Sequence, residues 1–170
     1  MSIFSGLDEI VETQYPLAKS TWYGLGGPAD YFIRPETVEQ LAQVVQRCGE
    51  NHIPVFLMGL GSNLLISDEG LRGAVIKLDT EQFTNVEFEA DGTGLTAWAG
   101  AELSRLVLTC VQKGLSGIEP LTGIPGSVGG AVKMNAGGNF GDFGAVIESL
   151  TLMDNQGSIF EMSKPELVFD

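Results

Sequence analysis

The sequence predicts an α+β fold in which two lobes are formed by one chain of 170 residues. Helical apolar stripes alternate with short apolar runs of strand length, and the order of these elements changes near residue 79. Before that point a strand, a helix and a strand follow one another, which is typical of a parallel unit. After it, turns join short strands, which is typical of hairpins. We therefore predict lobes over residues 20–78 and 79–170, preceded by a lead of residues 1–19.

A segment dense in turn residues separates the predicted lead from the first predicted strand. Residues 1–19 are acidic and weakly patterned, so we expect a short helix or a loose tail there. A dense turn segment follows from Ser20 to Asp30, with glycines and a proline close together. It runs into a predicted strand at Tyr31–Arg34.

One helix and two further strands complete the first lobe. Thr37 and Gln40 have the spacing of a capping box. The helix that they open is predicted to end at Gly49 and to bury one stripe, made of Val38, Leu41, Val44, Val45 and Cys48. Buried strands are expected at Pro54–Met58 and Ala74–Leu78, because both runs are short and apolar.

The second lobe is predicted to contain two hairpins and a helix. Val86–Ala90 and Leu95–Ala99 flank a turn sequence, as do Val146–Met153 and Ser158–Met162. The helix spans Glu102–Lys113, with a stripe of Leu103, Leu106, Val107, Cys110 and Val111 and with Gly114 as its stop. Ser163 to Glu166 has the form of the cap of another helix.

Composition excludes several classes of partner. The formal charge of −13, from 9 basic and 22 acidic residues, repels nucleic acid and anionic membrane, so we expect neither as a partner. No apolar run is long enough to cross a bilayer, and the start lacks the layout of a secretory signal. Cys48 and Cys110 lie on helical stripes and are interpreted as free core thiols. These features predict a cytoplasmic protein.

The stretch Ile118–Gly138 is unusual because glycines and prolines alternate with apolar residues. Gly126 and Gly137 belong to a set of six glycines here, and glycine lets backbone approach a ligand closely. A flexible linker would carry polar residues between its glycines, whereas this stretch has Ile124, Val128, Val132 and Met134. It predicts a buried, shaped loop against a flat or anionic ligand. The alternative is a tightly packed turn without a ligand.

A second glycine loop, Gly59–Leu64, directly follows the predicted strand at Pro54–Met58. Successive N–H groups in such a loop can bind a pyrophosphate, and the side chains of Ser62 and Asn63 can add hydrogen bonds. With few Lys and Arg in the chain, phosphates would have to be met mainly by backbone. Leu64 replaces the third glycine of the dinucleotide fingerprint, and no Gly-Lys-Ser/Thr sequence occurs, so a P-loop is excluded.

Other polar and aromatic residues give weaker signals. His52 is the single histidine, so neither a zinc site nor a Ser-His-Asp arrangement is supported, and we interpret it as a surface turn residue. Glu119, Lys133 and Asp142 are interpreted as solvated rim residues, with ligand contact as the alternative. Trp22 and Trp98 are expected to pack in the core or rim, with stacking on a ligand as the alternative.

Several strings together resemble one family, the UDP-N-acetylenolpyruvoylglucosamine reductases, also called UDP-N-acetylmuramate dehydrogenases (MurB). The most specific string is Gly-Ile-Pro-Gly-Ser-Val-Gly-Gly-Ala at positions 123–131. The supporting strings are Gly26–Asp30, Gly59–Leu65, Gly73–Lys77 and Met134–Gly137. The resemblance covers about residues 16 to 170, and it is to the FAD-binding part of the family.

The resemblance implies a fold, a reaction and a set of cofactor contacts. FAD is held non-covalently between two α+β lobes of the vanillyl-alcohol-oxidase (PCMH) type, and NADPH is the hydride donor that reduces it. Reduced flavin then passes hydride to the enolpyruvyl group of a UDP-sugar, giving UDP-N-acetylmuramate for peptidoglycan, and so for cell-wall synthesis, cell shape and division. The implied contacts are Gly59, Leu60, Gly61, Ser62, Asn63 and Leu64; Gly123, Pro125, Gly126, Ser127, Gly129, Gly130 and Ala131; and Asn135, Ala136 and Gly137.

The family's catalytic residues have no counterpart in this sequence. Its catalytic Arg follows a Tyr just beyond the segment that matches Glu166–Phe169, and its proton-donating Ser and catalytic Glu lie in a substrate-binding domain further on. The sequence stops at Asp170, so we assign no catalytic residue and expect the flavin domain to be inactive alone. Two alternatives stay open: a non-catalytic FAD- or nucleotide-binding module that acts through a partner chain, and the flavin domain of another oxidase-type flavoprotein.

Overall fold

The computed structural model describes residues 3–139 and 141–169. The first two residues of the predicted lead and the last residue of the predicted second lobe lie outside this part. The first lobe is a four-stranded sheet in the order β1-β2-β4-β3, built from β1 (Val11–Pro16), β2 (Pro28–Ile33), β3 (Val55–Met58) and β4 (Leu71–Lys77). β1 pairs antiparallel with β2, whereas β2 and β3 both run parallel to β4. The predicted parallel unit is confirmed, with β4 inserted between its two strands.

Helix α1 (Val38–Glu50) connects β2 to β3 and has the predicted cap. The Thr37 side chain accepts a hydrogen bond from the Gln40 N–H, at 3.2 Å. The Gln40 side chain accepts from the N–H of Glu36 at 2.7 Å, so the reciprocal contact of the capping box is displaced by one residue. The stripe packs on the sheet through Leu41, Val44 and Cys48. The helix ends at Glu50, one residue beyond the predicted stop at Gly49.

The prediction of a short helix or loose tail for the lead is wrong. Residues 8–10 form one 3-10 turn and β1 follows, hydrogen-bonded along β2. Phe4 is 1% exposed, and Leu7, Ile10 and Leu17 are buried as well. Phe4, Leu7 and Ile10 recur every three residues, a spacing that also suits a short helix, whereas the structure forms turns there. β1 itself is a mostly polar edge strand, so no strand periodicity marked it.

The prediction of a buried strand at Pro54–Met58 is correct in position but wrong in burial. β3 lies at the edge of the sheet, and the Leu57 side chain is 70% exposed. The central strand is β4, where Ala74, Val75 and Ile76 are fully covered. An apolar run of four residues does not distinguish a central strand from an edge strand, because its composition is the same in both.

The second lobe is a set of short elements around one apolar core. A turn of helix, α2 (Glu81–Thr84), leads into it. Its strands are β5 (Val86–Phe88), β6 (Leu95–Ala97), β7 (Gly137–Gly138), β8 (Gly141–Asp142), β9 (Ser149–Met153) and β10 (Ile159–Ser163). Its helices are α3 (Leu103–Gln112), α4 (Val128–Lys133) and α5 (Phe143–Val146). Both predicted hairpins are confirmed as antiparallel pairs, β5 with β6 and β9 with β10.

Three details of the second lobe differ from the sequence predictions. Val111, expected on the buried stripe of α3, is 55% exposed, because the helix buries a narrower face than its apolar residues suggest. Val146 belongs to α5, so the following strand starts three residues later, at Ser149. The Ser163–Glu166 capping box is present, but it opens only a single 3-10 turn.

The two cysteines are free and buried, as predicted. Desolvation raises the pKa of the Cys48 thiol from 9.0 to about 11, because burial disfavours the thiolate. The same cause raises the pKa of Cys110. Both thiols are therefore protonated at neutral pH and are poor nucleophiles.

Among the described residues, no helix combines the length and the apolar character that crossing a bilayer requires.

Candidate functional site

The first glycine loop, Gly59–Leu64, starts where β3 ends, as predicted. Gly61 has φ of +70°, a backbone conformation that residues other than glycine rarely adopt. A Cβ there would also collide with the backbone of Ser20. The Gly61 carbonyl accepts a hydrogen bond from the Trp22 N–H at 3.1 Å. The turn segment at Ser20–Asp30 therefore supports the loop from behind.

The second loop, Gly123–Ala131, is held by the segment that leads into α3. Leu103 N–H donates to the carbonyl of Gly126 at 3.0 Å, and Gly129 N–H donates to the carbonyl of Ala99 at 2.7 Å. Ser127 is 3% exposed, and its hydroxyl accepts from the Gly130 N–H at 3.3 Å as the cap of α4. The loop is a shaped turn as predicted, although Met134 beyond it is 60% exposed and does not belong to the core.

The structure brings the two loops into contact. Ser62 Oγ donates a hydrogen bond to the Pro125 carbonyl at 3.1 Å, across a separation of 63 residues. A Cβ on Gly59 would collide with Ser127 Oγ, and one on Gly126 would lie 3.5 Å from Ser62 Oγ. The absence of a side chain at Gly59 therefore lets the loops meet, whereas Gly126 is required by its φ of +146°.

Several backbone N–H groups at this junction find no acceptor among the described residues. Within the described part of the chain, the N–H groups of Gly59, Gly61 and Ser62 form no hydrogen bond to a protein acceptor. The same holds for the N–H groups of Gly126 and Ser127. Buried backbone donors almost always find a partner, and Gly61 and Ser127 are buried. Five donors left open on two touching loops can together bind an anion with several oxygens.

The remaining predicted contacts differ in position. Leu60 and Asn63 are exposed in the first loop, whereas the Ala131 side chain is 4% exposed and faces the core of the second lobe. Asn135 has φ of +39°, and its side-chain Oδ1 accepts from the Gly144 N–H at 3.0 Å. Its contacts are thus within the second lobe, and Ala136 and Gly137 continue from it into β7.

A cleft of about 180 Å³ opens beside the two loops. Leu60 contributes one wall, and the second loop contributes Gly123, Ile124, Pro125 and Gly126. Two lining residues were not singled out from the sequence, Glu102 and Ser104. Trp22 also lines the cleft and is 69% exposed, so it does not pack in the core and its ring is available to a ligand, the alternative that the sequence left open.

The described lining of the cleft contains no cation. Its single charged residue is Glu102, whose carboxylate accepts from the Ser104 hydroxyl at 2.7 Å. A wider depression of about 490 Å³ lies elsewhere, between Glu36 and the Thr80–Gln82 segment. With two carboxylates in its lining, that depression is unsuited to a phosphorylated ligand. An anion at the glycine loops would be held by backbone dipoles.

Apart from Trp22, the polar and aromatic residues with weaker sequence signals occupy the positions that the sequence predicts. His52 is in an exposed turn, and Glu119, Lys133 and Asp142 are all exposed, consistent with rim residues. Trp98 is half-buried and packs edge-to-face on Phe83, with ring centroids 5.7 Å apart. The expected packing role of Trp98 is confirmed.

Comparisons with known proteins relate the chain to flavoproteins. A family model described as an FAD binding domain matches residues 29–163. The UDP-N-acetylenolpyruvoylglucosamine reductase of Clostridium novyi is 41% identical over 159 residues, which cover 94% of this chain and 50% of that protein. The structure of the reductase (MurB) from Thermus caldophilus has a TM-score of 0.74 at 34% identity, covering 94% of this chain and 54% of that one.

A more distant neighbour shares the fold alone. Phl p 4, a grass pollen allergen with glucose dehydrogenase activity, has a TM-score of 0.70 at 15% identity and covers 95% of this chain and 38% of that one. The chain spans about half the length of the curated relatives that it matches. The resemblance seen in the motifs is confirmed by these relatives. The chain thus belongs to the family of FAD-binding domains, and its fold is the two-lobed α+β fold of the vanillyl-alcohol-oxidase (PCMH) type.

Proposed function

We propose that this chain is the flavin-binding part of a UDP-N-acetylenolpyruvoylglucosamine reductase. The observation that carries the proposal is the junction of the two glycine loops, where five N–H groups find no acceptor in the described part of the chain. A protein with 9 basic and 22 acidic residues has few cations for two phosphates, and these loops offer neutral donors instead. The relatives that match most of the chain carry this enzyme's name.

The groups at the junction match both the charged pyrophosphate of FAD and its flat, apolar ring. Gly59, Gly61, Ser62, Gly126 and Ser127 would hold the pyrophosphate through their N–H groups. The apolar side chains that line the cleft, those of Trp22, Leu60 and Ile124, would cover flat ring surface, which favours apolar neighbours. The carboxylate of Glu102 disfavours phosphate at its end of the cleft, so the pyrophosphate belongs nearer the junction of the loops.

Within the reaction, this chain would bind and orient the cofactor. FAD, when bound, supplies a ring that accepts hydride from NADPH and passes it to the enolpyruvyl group of the UDP-sugar. The loops would fix the ring's position by holding the phosphates, and the apolar walls would exclude water from it. The product of this reaction, UDP-N-acetylmuramate, places the proposed function in peptidoglycan synthesis. We place the protein in the cytoplasm, because its buried free thiols suit a reducing compartment.

The first expected result is that the purified chain binds FAD without a covalent bond. Covalent flavin anchors are His or Cys side chains beside the ring. His52 lies in an exposed turn away from both loops, and Cys48 and Cys110 are 0% and 1% exposed. Acid precipitation should therefore release all yellow colour into the supernatant. Flavin fluorescence that migrates with the denatured polypeptide on a gel would contradict this.

The second expected result is that this chain, loaded with FAD, does not reduce the enolpyruvyl substrate. The resemblance places the catalytic Arg, Ser and Glu at positions outside the 170 residues, and loss of one positioned donor already slows such a step by about 10²–10³. The assay is anaerobic: reduce the bound flavin chemically, add the UDP-enolpyruvyl substrate and follow reoxidation. A complete reductase is the positive control. Reoxidation at the control's rate would show that the described residues suffice.

A further inference from the structure

The Ser62 hydroxyl is engaged by the protein and is therefore not free for a ligand. The sequence motif suggests that this side chain binds the cofactor, but its Oγ donates to the Pro125 carbonyl at 3.1 Å. The bond joins the first lobe to the second, directly at the edge of the cleft. A hydroxyl has one hydrogen to donate, and here the Pro125 carbonyl takes it.

This hydrogen bond orients a peptide group that the proposed function needs. A trans peptide is planar, so the carbonyl of Pro125 and the N–H of Gly126 point in opposite directions and turn together. Glycine has a wide choice of backbone angles, and Gly126 has φ of +146°. Anchoring the Pro125 carbonyl therefore fixes where the Gly126 N–H points.

The next peptide group is anchored in the same way from the other lobe. The Gly126 carbonyl accepts from the Leu103 N–H at 3.0 Å, and this fixes the direction of the Ser127 N–H. The N–H groups of Gly126 and Ser127 thus each belong to a peptide group whose carbonyl accepts a hydrogen bond. For Gly126 the donor is a side chain of the first lobe, and for Ser127 it is a backbone N–H of the second lobe.

We infer that Ser62 is a positioning residue: its hydroxyl bridges the lobes and sets the Gly126 N–H in the orientation that receives a phosphate of FAD. The inference rests on the proposed function and deepens it, because it assigns the motif serine to the opposite loop and not to the ligand. A loop that is already ordered in the free protein loses less conformational entropy when the ligand binds. The bridge would thus raise the affinity for the cofactor without contacting it.

The test compares Ser62→Ala with Ser62→Thr, which keeps the hydroxyl, and with Thr80→Val. Thr80 is the matched control, since its hydroxyl also donates to a proline carbonyl, that of Pro35 at 2.7 Å, but lies outside the cleft. The order parameter of the Gly126 N–H is measured by NMR relaxation on the ligand-free protein, and FAD affinity by flavin fluorescence. We expect Ser62→Ala to lower the order parameter of Gly126 and to weaken FAD binding about five-fold to ten-fold, the usual effect of one hydrogen bond. The other two variants should retain native values.

Two results would overturn the inference. Weaker FAD binding with an unchanged order parameter at Gly126 would mean that the hydroxyl contacts the ligand itself. A lower order parameter with unchanged affinity would mean that the bridge does not serve binding. If native protein fails to bind FAD, the proposed function fails, while the order parameter of Gly126 still reports on the bridge. Should Ser62→Ala not fold, Ser62→Cys offers a weak donor of similar size for the same comparison.

Discussion

Replacing Gly126 by Val is expected to weaken FAD binding by about 100-fold or more. Gly126 has φ of +146°, and a β-branched residue in such a conformation costs about 1–3 kcal/mol. Its side chain would also enter the gap between the loops, where a Cβ already lies 3.5 Å from Ser62 Oγ. Losing the aligned N–H contacts adds a similar penalty, and about 2.8 kcal/mol corresponds to 100-fold in affinity.

Gly92→Val is the matched control for this prediction. Gly92 also has a positive φ, +73°, but it lies in the turn between β5 and β6, and a Cβ there meets no described atom within 4 Å. A valine there also strains the backbone, although less, because φ of +73° lies in the left-handed region that some side chains tolerate. Since Gly92 lies outside both loops, FAD affinity should stay unchanged. Titration of FAD fluorescence and the thermal shift caused by FAD measure both variants. Native flavin content in Gly126→Val would show that the cofactor binds elsewhere.

Replacing Phe4 by Ala is expected to lower the free energy of unfolding by about 3–5 kcal/mol, the range for a buried aromatic side chain. Phe4 is 1% exposed and contacts the Tyr31 ring edge-on, with centroids 5.1 Å apart. It belongs to the apolar core under α1, together with Val44 and Cys48. The segment before β1 therefore contributes to the core of the first lobe.

The control variant truncates a phenylalanine that is much more exposed to solvent than Phe4. Phe160 in β10 is 44% exposed, so Phe160→Ala should cost about 1–2 kcal/mol, less than Phe4→Ala, since much of its apolar area is already in contact with solvent. Urea unfolding followed by circular dichroism gives both free energies. Equal midpoints for the two variants would show that the lead contributes no more than an exposed side chain does.

The contrast between Phe4 and Leu41 shows what the sequence could reveal. Leu41 lies on a stripe of helical period that a cap precedes, and both signals are local, so α1 is predictable almost to the residue. Phe4 lies in an irregular turn, and its burial depends on β2 and α1, which no pattern near residue 4 indicates. The same limit explains β3, since its position in the sheet depends on where β4 inserts.

The candidate site was predictable in its parts but not in its assembly. Glycine density indicated both loops, and the strings within them indicated the family. Their contact depends on Ser62 and Pro125, which are 63 residues apart, and on the open N–H groups left where the loops meet. Hydrogen bonding of backbone is a property of the folded chain, and residue identity does not encode it. For the same reason the sequence could not decide between packing and ligand stacking for Trp22, because only the fold places it at the cleft.

The strand order of the first lobe also determines when the Gly59–Leu64 loop takes its place during folding. β4 is made last of the four strands, yet it lies between β2 and β3. Paired residues of β1 and β2 are 12 to 22 positions apart in the sequence and those of β3 and β4 are 19 apart, whereas those of β2 and β4 are 42 or 43 apart. The β2–β4 pairing thus has the highest contact order and is expected to form most slowly. On a ribosome, the first loop would be framed by both of its strands only after residue 77 had emerged, and its junction with the second loop would form only after residue 131 had.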